Sequence, residues 1–202
     1  IRGSFVKGYI TVDDVFTVSS LGIGADKVSG YPLISVYLTG KELKTVAEVD
    51  ASIAPIMSVA QLYLSGLNFT FNPNRLIFNK VTDVYLEGED GSREEIEDDK
   101  LYRVVAGLYS AQMLSIVGDK SFGLLSIVPK TKDGVPIEDF EEHIIYDNGH
   151  EIKEWLAIAE YLKSFDKEDG IPQMPDYYSQ KQGRKIVDDN PSIFARIKNP
   201  NK

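Results

Sequence analysis

A strand that runs directly into a capped helix is the feature of this sequence that most constrains its fold. Residues 32–40, PLISVYLTG, alternate apolar and polar side chains, as a half-buried β-strand does. Thr39 and Glu42 then form the Ser/Thr-x-x-Glu pattern of a capping box, which predicts that a helix begins where the strand ends. Because the two elements share a junction, both must bury their apolar faces nearby, and we predict a sheet with helices packed against it.

Three more stretches have the composition of β-strands. Residues 61–74 predict two strands separated at Gly66, and residues 80–91 predict a strand that ends in an Asp-Gly hairpin turn. Residues 101–110 are apolar enough for a strand in the centre of a sheet. We therefore predict an α+β domain whose mixed β-sheet is flanked by helices.

Helices are predicted near both ends of the chain. Thr11 is a suitable N-cap for a short helix. Residues 150–164 place apolar side chains at helical spacing, opposite charged ones, and predict the longest helix of the last third. A break in this organisation falls near residues 130–145, and we interpret the chain as one domain with a C-terminal extension.

The acidic balance of the chain argues against one class of partner. Its 202 residues carry a net charge of −9, which would repel the polyanionic backbone of a nucleic acid. The sequence contains no cysteine, so disulfides and thiolate metal sites are absent. No apolar run approaches the roughly 20 residues that are needed to span a bilayer. We therefore expect these residues neither to bind nucleic acid nor to cross a membrane.

No motif of an autonomous active site is present. The chain has two histidines and lacks the HExxH, GxSxG and P-loop patterns. His150 stands beside Glu151 and could suggest a metal site, but a helix is expected to begin there, and we interpret both side chains as solvated. The acidic runs EGEDGSREEIEDDK and EDFEEH are local, whereas a metal site needs carboxylates from different elements. We predict no catalytic residue and no metal ligand in this chain.

Two residues have side chains suited to binding a small ligand. The planar guanidinium of Arg2 could hold a phosphate group. The ring of Tyr109, at the end of a predicted strand, could stack on a nucleobase. Each residue also has a structural alternative, because Arg2 could form a surface ion pair and Tyr109 could pack in or beside the core. The residues alone leave these alternatives open.

Four segments, taken in order, resemble a known family. They are IRGSFVKGYITVDDVFTVSSLG, ISVYLTGKELKTVAE, LYLSGLNFTFNP and YRVVAGLYSAQML. They resemble the C-terminal domain of the 5′-nucleotidase, UDP-sugar hydrolase and 2′,3′-cyclic phosphodiesterase family of metallophosphoesterases. The resemblance covers residues 1–128 and implies that they form a substrate-binding core. Residues 129–202 extend beyond it, and we expect them to pack on the same domain.

The resemblance implies that catalysis and substrate binding belong to different domains of a longer protein. In this family an N-terminal metallophosphoesterase domain holds two metal ions, which activate water and stabilise charge on the phosphate, while the C-terminal domain binds the nucleotide. The metal motifs of that first domain are absent here. We therefore expect a truncated 5′-nucleotidase-like hydrolase, inactive alone and without a cofactor of its own, whose divalent metal ions lie on the missing domain. The family also implies a periplasmic, extracellular or cell-surface location.

The resemblance further implies five ligand-binding positions. Arg2 matches an arginine that contacts the phosphate or sugar, and Tyr109 matches one of two aromatic residues that sandwich the base. Gly66 matches a glycine whose backbone approaches the ligand. Leu21 replaces the second aromatic residue, and Asp119 is the substitute for an aspartate in a Gly-Gly-Asp-Gly segment that this chain lacks. We expect the first four to line one concavity.

These replacements leave two interpretations of the function open. The chain is either the substrate-specificity domain of an enzyme acting on nucleotides or related phosphoesters, or a non-catalytic binding or interaction module that has lost nucleotide recognition. Tyr177, Tyr178 and Arg184 of the extension could supply further contacts to a ligand. Alternatively, their segment packs back on the domain as a strand or loop.

Overall fold

The chain forms two compact units in its structure, a computed structural model that describes residues 5, 7–56, 61–88, 90–113, 126–180 and 183–190. We call them the first unit and the second unit. The first unit comprises Ile1–Tyr37, Arg103–Ile116 and Pro129–Lys181, and the second comprises Leu38–Tyr102, Val117–Val128 and Gln182–Lys202. Both units therefore include part of the C-terminal extension, and the domain boundary expected at residue 128 stays a prediction.

The helices and strands alternate irregularly along the described residues. Residues 108–113 are helical, and short 3₁₀ helices form at Phe140–His143 and Asp176–Ser179. In chain order the other elements are α1 (Val12–Ser19), β1 (Leu33–Thr39), α2 (Gly40–Ile53), β2 (Leu67–Phe71), β3 (Val81–Glu87), β4 (Arg93–Glu95), β5 (Leu101–Gly107), β6 (Tyr146–Asp147), β7 (His150–Glu151), α3 (Glu154–Lys163), β8 (Lys167–Glu168), β9 (Ile171–Pro172) and β10 (Lys185–Val187).

The strands pair in both directions. A four-stranded sheet in the second unit has the order β10-β2-β3-β4, in which β10 is parallel to β2 and the other two pairs are antiparallel. β1 and β5 form a separate two-stranded sheet. The predicted α+β class with mixed strand pairing is confirmed. So is the hairpin turn between β3 and β4, where the N–H of Gly91 donates to the carbonyl oxygen of Gly88 at 3.0 Å.

The predicted capping box joins β1 to α2. The N–H of Thr39 donates to Oε2 of Glu42 at 2.7 Å, and the N–H of Glu42 donates to Oγ1 of Thr39 at 3.2 Å. These bonds satisfy two donors at a point where a helix start leaves them unpaired. The helix then buries an apolar face formed by Leu43, Val46, Ala47 and Val49.

The same device begins α1 in the first unit, with Thr11 as the predicted N-cap. The N–H of Thr11 donates to Oδ2 of Asp14 at 2.7 Å, and the N–H of Asp14 donates to Oγ1 of Thr11 at 3.1 Å. The hydrogen bonds from Thr11 lower the pKa of Asp14. α1 packs against α3 through Phe16 and Trp155, whose ring centroids lie 5.3 Å apart. The core cluster of this unit consists of Ile34, Val36, Leu108, Ala111 and Ile144.

Two of the predicted strands are shorter in the structure. The strand predicted over residues 101–110 ends at Gly107. Helical residues follow because no β-branched side chain occurs after Val105 in this stretch, whereas alanine, glutamine and methionine favour a helix. Of residues 61–74, only Leu67–Phe71 form a strand, so the prediction of a separate strand before Gly66 is wrong.

The long helix of the last third begins at Glu154, four residues later than predicted. Asn148 and Gly149 have positive φ angles of 48° and 81°. Such a pair suits the two-residue turn of a hairpin, and here it joins β6 to β7, so the helix starts only after that hairpin. None of the helices in the described ranges is both long enough and apolar enough to cross a membrane.

Candidate functional site

A pair of stacked tyrosine rings is the most distinctive surface feature of the first unit. The ring centroids of Tyr31 and Tyr109 lie 5.4 Å apart, and the ring planes are inclined by 20°. Tyr109 remains 42% exposed despite this contact. An accessible aromatic ring held by a second one has the chemistry of a stacking surface for a flat ligand.

A change from strand to helix places Tyr109. β5 ends at Gly107, and the N–H of Leu108 then donates to the carbonyl oxygen of Pro32 at 2.9 Å. Leu108 is buried in the core cluster, and Tyr109 follows it in the first turn of helical residues 108–113. The prediction that Tyr109 ends a strand is therefore wrong, because the strand ends at Gly107 and Tyr109 is helical. The exposure of Tyr109 excludes burial within the core, whereas packing beside the core stays an alternative.

The loop that precedes β1 places Tyr31. The N–H of Tyr31 donates to the carbonyl oxygen of Leu21 at 2.7 Å, and the N–H of Gly30 donates to that of Gly22 at 2.9 Å. Gly22 has a φ of +77°, and a Cβ there would lie 2.3 Å from Cε2 of Tyr31. Only glycine fits this position, because the ring of Tyr31 lies directly on its backbone.

A buried ion pair anchors the same loop. Nζ of Lys153 donates to Oδ1 of Asp26 at 2.6 Å and to Oε2 of Glu151 at 2.5 Å. Oε1 of Glu151 also accepts the backbone N–H of Asp26 at 3.0 Å. Because Lys153 and Glu151 are almost fully buried, each charge depends on the other for its stabilisation. The network therefore ties the loop to the chain segment between β7 and α3.

The electrostatics of this network correct one interpretation made from sequence. Glu151 is buried and paired, not solvated, whereas its neighbour His150 is exposed as expected. Burial alone would lower the pKa of Lys153, but the hydrogen bonds to Asp26 and Glu151 raise it. The hydrogen bond from Lys153 in turn lowers the pKa of Asp26. Lys153 and Asp26 are therefore charged at neutral pH, and the network is a structural anchor.

Glu154 is an acidic residue that contacts the backbone of Tyr31. Its backbone N–H donates to the carbonyl oxygen of Tyr31 at 3.1 Å. Its carboxyl group lies against Gly107, where a Cβ would be only 1.6 Å from Oε1. Burial raises the pKa of Glu154. The carboxyl group thus lies in a partly desolvated place beside the strand that leads to Tyr109.

The five predicted ligand-binding residues are distributed over both units. Leu21 and Tyr109 belong to the first unit, and Gly66 belongs to the second. Leu21 is 36% exposed. Gly66 has a φ of +81°, and no atom lies within 4 Å of the position that a Cβ would take, so its surroundings are open. Arg2 and Asp119 lie outside the described residues, and the shared concavity stays a prediction.

The extension residues considered from sequence fall into two different places. Tyr178 contacts the rings of Tyr161 and Phe165, with centroids 6.2 Å and 5.5 Å away, so its segment packs back on α3 and the turn after it. Arg184 belongs to the second unit, where Nη1 donates to the carbonyl oxygen of Leu64 at 3.2 Å. These contacts agree with the packing alternative, and a role in ligand binding stays a prediction.

Sequence reasoning missed Tyr31 and Glu154. Tyr31 stands in a glycine-rich loop with no periodic pattern, and Glu154 looks like an ordinary first-turn residue of a helix. The only local signal was the Gly-Tyr pair directly before Pro32, where the predicted strand begins. Among the residues that the structure describes, no group of three or more His, Cys, Asp or Glu side chains is arranged to hold a metal ion.

Comparisons with known proteins identify the family. The family model for the 5′-nucleotidase C-terminal domain matches residues 1–114. The crystal structure of a 5′-nucleotidase precursor from Thermus thermophilus is similar, with 25% identity and a TM-score of 0.61. That match covers 93% of this chain but only 29% of the Thermus protein. The NAD nucleotidase of Haemophilus influenzae is a weaker likeness, with 24% identity and a TM-score of 0.44 over 57% of this chain and 19% of its own.

The search of curated proteins gave no match. The family model nevertheless covers more than half of the 202 residues, and the Thermus structure agrees with it in fold over nearly the whole chain. The chain belongs to the 5′-nucleotidase family, as a C-terminal domain of that family.

Proposed function

We propose that the chain is the substrate-specificity domain of a metal-dependent phosphohydrolase that acts on nucleotides or related phosphoesters. The observation that carries this proposal is the exposed, stacked ring of Tyr109 in a chain of the 5′-nucleotidase family. A nucleobase can stack on such a ring, and the contact is worth about 1–3 kcal/mol per base. In this proposal Tyr109 binds the base, and other groups bind the phosphate.

The remaining ligand contacts follow the chemistry of each side chain. Arg2 would hold the phosphate or ribose through its guanidinium. Leu21 would offer apolar contact, Gly66 would let its backbone approach the ligand, and Asp119 would accept hydrogen bonds from it. No phosphate hydrolysis is assigned to these residues.

The catalytic step would belong to another part of a longer protein. The chain spans 29% of the length of the Thermus 5′-nucleotidase that it resembles, which leaves room for an N-terminal metallophosphoesterase domain. Divalent metal ions on that domain would activate water and stabilise the phosphate charge. This chain would present the nucleotide to them and would be inactive alone. We propose a periplasmic, extracellular or cell-surface location, in keeping with a relative that is made as a precursor.

Calorimetric titration with AMP, UMP and a UDP-sugar tests the proposal. Tyr109→Ala should weaken binding of each nucleotide by about 1–3 kcal/mol, because it removes the stacking ring. Tyr146→Ala is a matched control, since Tyr146 is an exposed tyrosine of the same unit and should not matter. Equal affinities for the wild type and Tyr109→Ala would contradict the proposal.

A second function is favoured by a different surface. Tyr161, Tyr177 and Tyr178 are 52%, 57% and 39% exposed and contact one another or Phe165 through their rings. Clustered exposed aromatic residues are typical of protein–protein interfaces. The alternative is therefore a non-catalytic interaction module that has lost nucleotide recognition. The absence of binding to all three nucleotides would favour it.

A further inference from the structure

We infer that Tyr31 is a positioning residue for Tyr109: it covers one face of that ring and leaves the opposite face as a single-sided stacking surface. The inference rests on the proposed function, because it concerns how the same ring would receive a base. It departs from a sandwich in which a base enters between two aromatic residues. It also assigns a role to a residue in the loop between α1 and β1.

The spacing of the rings leaves no room for a base between them. Carbon atoms in contact are about 3.5–4.0 Å apart, so a base inserted between two rings would need about 7–8 Å from ring to ring. The centroids of Tyr31 and Tyr109 are 5.4 Å apart with nearly parallel planes. This is the geometry of two rings in direct, offset contact. The face of the Tyr109 ring that contacts Tyr31 is therefore already occupied.

The backbone around Tyr31 holds the ring in that position. Its N–H is bonded to Leu21 at 2.7 Å, and its carbonyl oxygen accepts the N–H of Glu154 at 3.1 Å. The next residue, Pro32, is fully buried and has a fixed φ. Tyr31 is thus restrained on both sides of its Cα atom and can move its ring only by rotation of the side chain.

Two contacts made by the ring oppose that rotation. Gly22 lies so close that even a Cβ would be 2.3 Å from Cε2 of Tyr31. Tyr109 lies on the ring through the stacking contact. The ring of Tyr31 is therefore in close contact with the backbone at Gly22 and with the ring of Tyr109. The Lys153 network anchors the loop that supplies this backbone, since Asp26 belongs to it.

A one-sided surface has a consequence for specificity. Tyr109 is 42% exposed, and a ring with one face covered can stack on one face of a base, a surface that every base offers. Discrimination by this contact depends on stacking area alone, so a purine should bind better than a pyrimidine. The ring alone would not distinguish adenine from guanine by hydrogen bonds.

The test compares two ligands in four forms of the protein. AMP and ribose 5-phosphate are titrated into the wild type, Tyr31→Ala, Tyr31→Phe and Tyr109→Ala. An aromatic pair is worth about 0.5–1.5 kcal/mol, so Tyr31→Ala should weaken AMP binding by roughly 2- to 12-fold. Tyr31→Phe, which keeps the ring, should stay within about twofold of the wild type. Ribose 5-phosphate, which has no base, should bind equally to the wild type and both Tyr31 variants.

The outcomes separate this inference from the proposed function. If Tyr109→Ala leaves AMP binding unchanged, the proposed function fails and the inference fails with it. If Tyr109→Ala weakens AMP binding but Tyr31→Ala does not, only the inference is overturned. Tighter AMP binding to Tyr31→Ala would also overturn it, because Tyr31 would then be blocking the site. Equal weakening of AMP and ribose 5-phosphate would assign Tyr31 a general structural role instead. Should Tyr31→Ala not fold, Tyr31→Leu supplies the same comparison, with the bulk retained and the ring removed.

Discussion

Each unit of the molecule contains a cation that bridges two carboxylates, yet the two networks lie in opposite environments. In the first unit, Lys153 binds Asp26 and Glu151, and the side chains of Lys153 and Glu151 are only 3% and 1% exposed. In the second unit, Arg93 binds Asp83 at 2.9 Å and Glu95 at 2.6 Å, and its side chain is 44% exposed. Both networks consist of one cation and two carboxylates, but they differ in their exposure to solvent.

Burial determines how much each ion pair contributes to the stability of the fold. Water and salt screen the exposed Arg93 network, so that it contributes little. The buried network is costly to break, because removal of Lys153 would leave the charge of Glu151 uncompensated away from water. The first network holds a loop in place, and the second lies on the surface of a hairpin that its strands already define.

Removing the cation should separate the two networks most strongly. We expect Lys153→Ala to lower the free energy of unfolding by roughly 3–5 kcal/mol, the usual result of breaking a buried pair. Arg93→Ala should lower it by about 0–1 kcal/mol, as exposed pairs do. Denaturant unfolding of both variants measures the difference. Equal losses would mean that the burial of Lys153 does not control its contribution.

Two glycines, one in each unit, allow a second comparison between the units. Gly22 and Gly66 have φ angles of +77° and +81°, so an added Cβ should cost each of them about 1–2 kcal/mol. Only Gly22 would also press its Cβ against a ring, that of Tyr31. Gly22→Ala should therefore be less stable than the matched control Gly66→Ala by about 1–3 kcal/mol, the usual cost of overpacking. Thermal unfolding compares the two, and similar losses would contradict the close contact described between Gly22 and the ring of Tyr31.

The smallest expected effects concern the pH dependence of two carboxyl groups in the first unit. The hydrogen bond from Lys153 holds the pKa of Asp26 below its ordinary value of 3.8, so the stabilisation is present above that pH and is lost as the pH falls through the lower folded value. Burial raises the pKa of Glu154 above 4.5, so its contribution is present below that pH and is lost as the pH rises through the folded value.

Replacing each of these two carboxyl groups by a neutral amide should therefore have different effects on stability. At neutral pH, Asp26→Asn should lower the free energy of unfolding, whereas Glu154→Gln should leave it unchanged or raise it. Unfolding by denaturant can be measured at several values from about pH 3 to about pH 7. The free energy of unfolding should then depend less on pH in each variant than in the wild type, over the range where the replaced carboxyl group titrates. A loss of stability in Glu154→Gln at neutral pH would indicate that its carboxylate has a favourable partner.

Local patterns were read correctly from the sequence wherever neighbours in the chain satisfy one another. Thr39 and Glu42 bond within a single turn, and so do Thr11 and Asp14, which makes both helix starts predictable. The Asp-Gly turn after β3 is equally local. The later start of α3 was also encoded locally, in Asn148 and Gly149, but the apolar periodicity outweighed that signal in the prediction.

The helix caps, the strand-to-helix junction and the α+β class could be predicted from the residues alone, and so could the family resemblance that points to Tyr109. The stacking of Tyr31 on Tyr109 and the burial of Glu151 with Lys153 and Asp26 could not. These partners come from segments that are distant in the chain. Their contact depends on how the loop before β1, the turn after β5 and the segment before α3 come together, and no spacing of residue types encodes that arrangement.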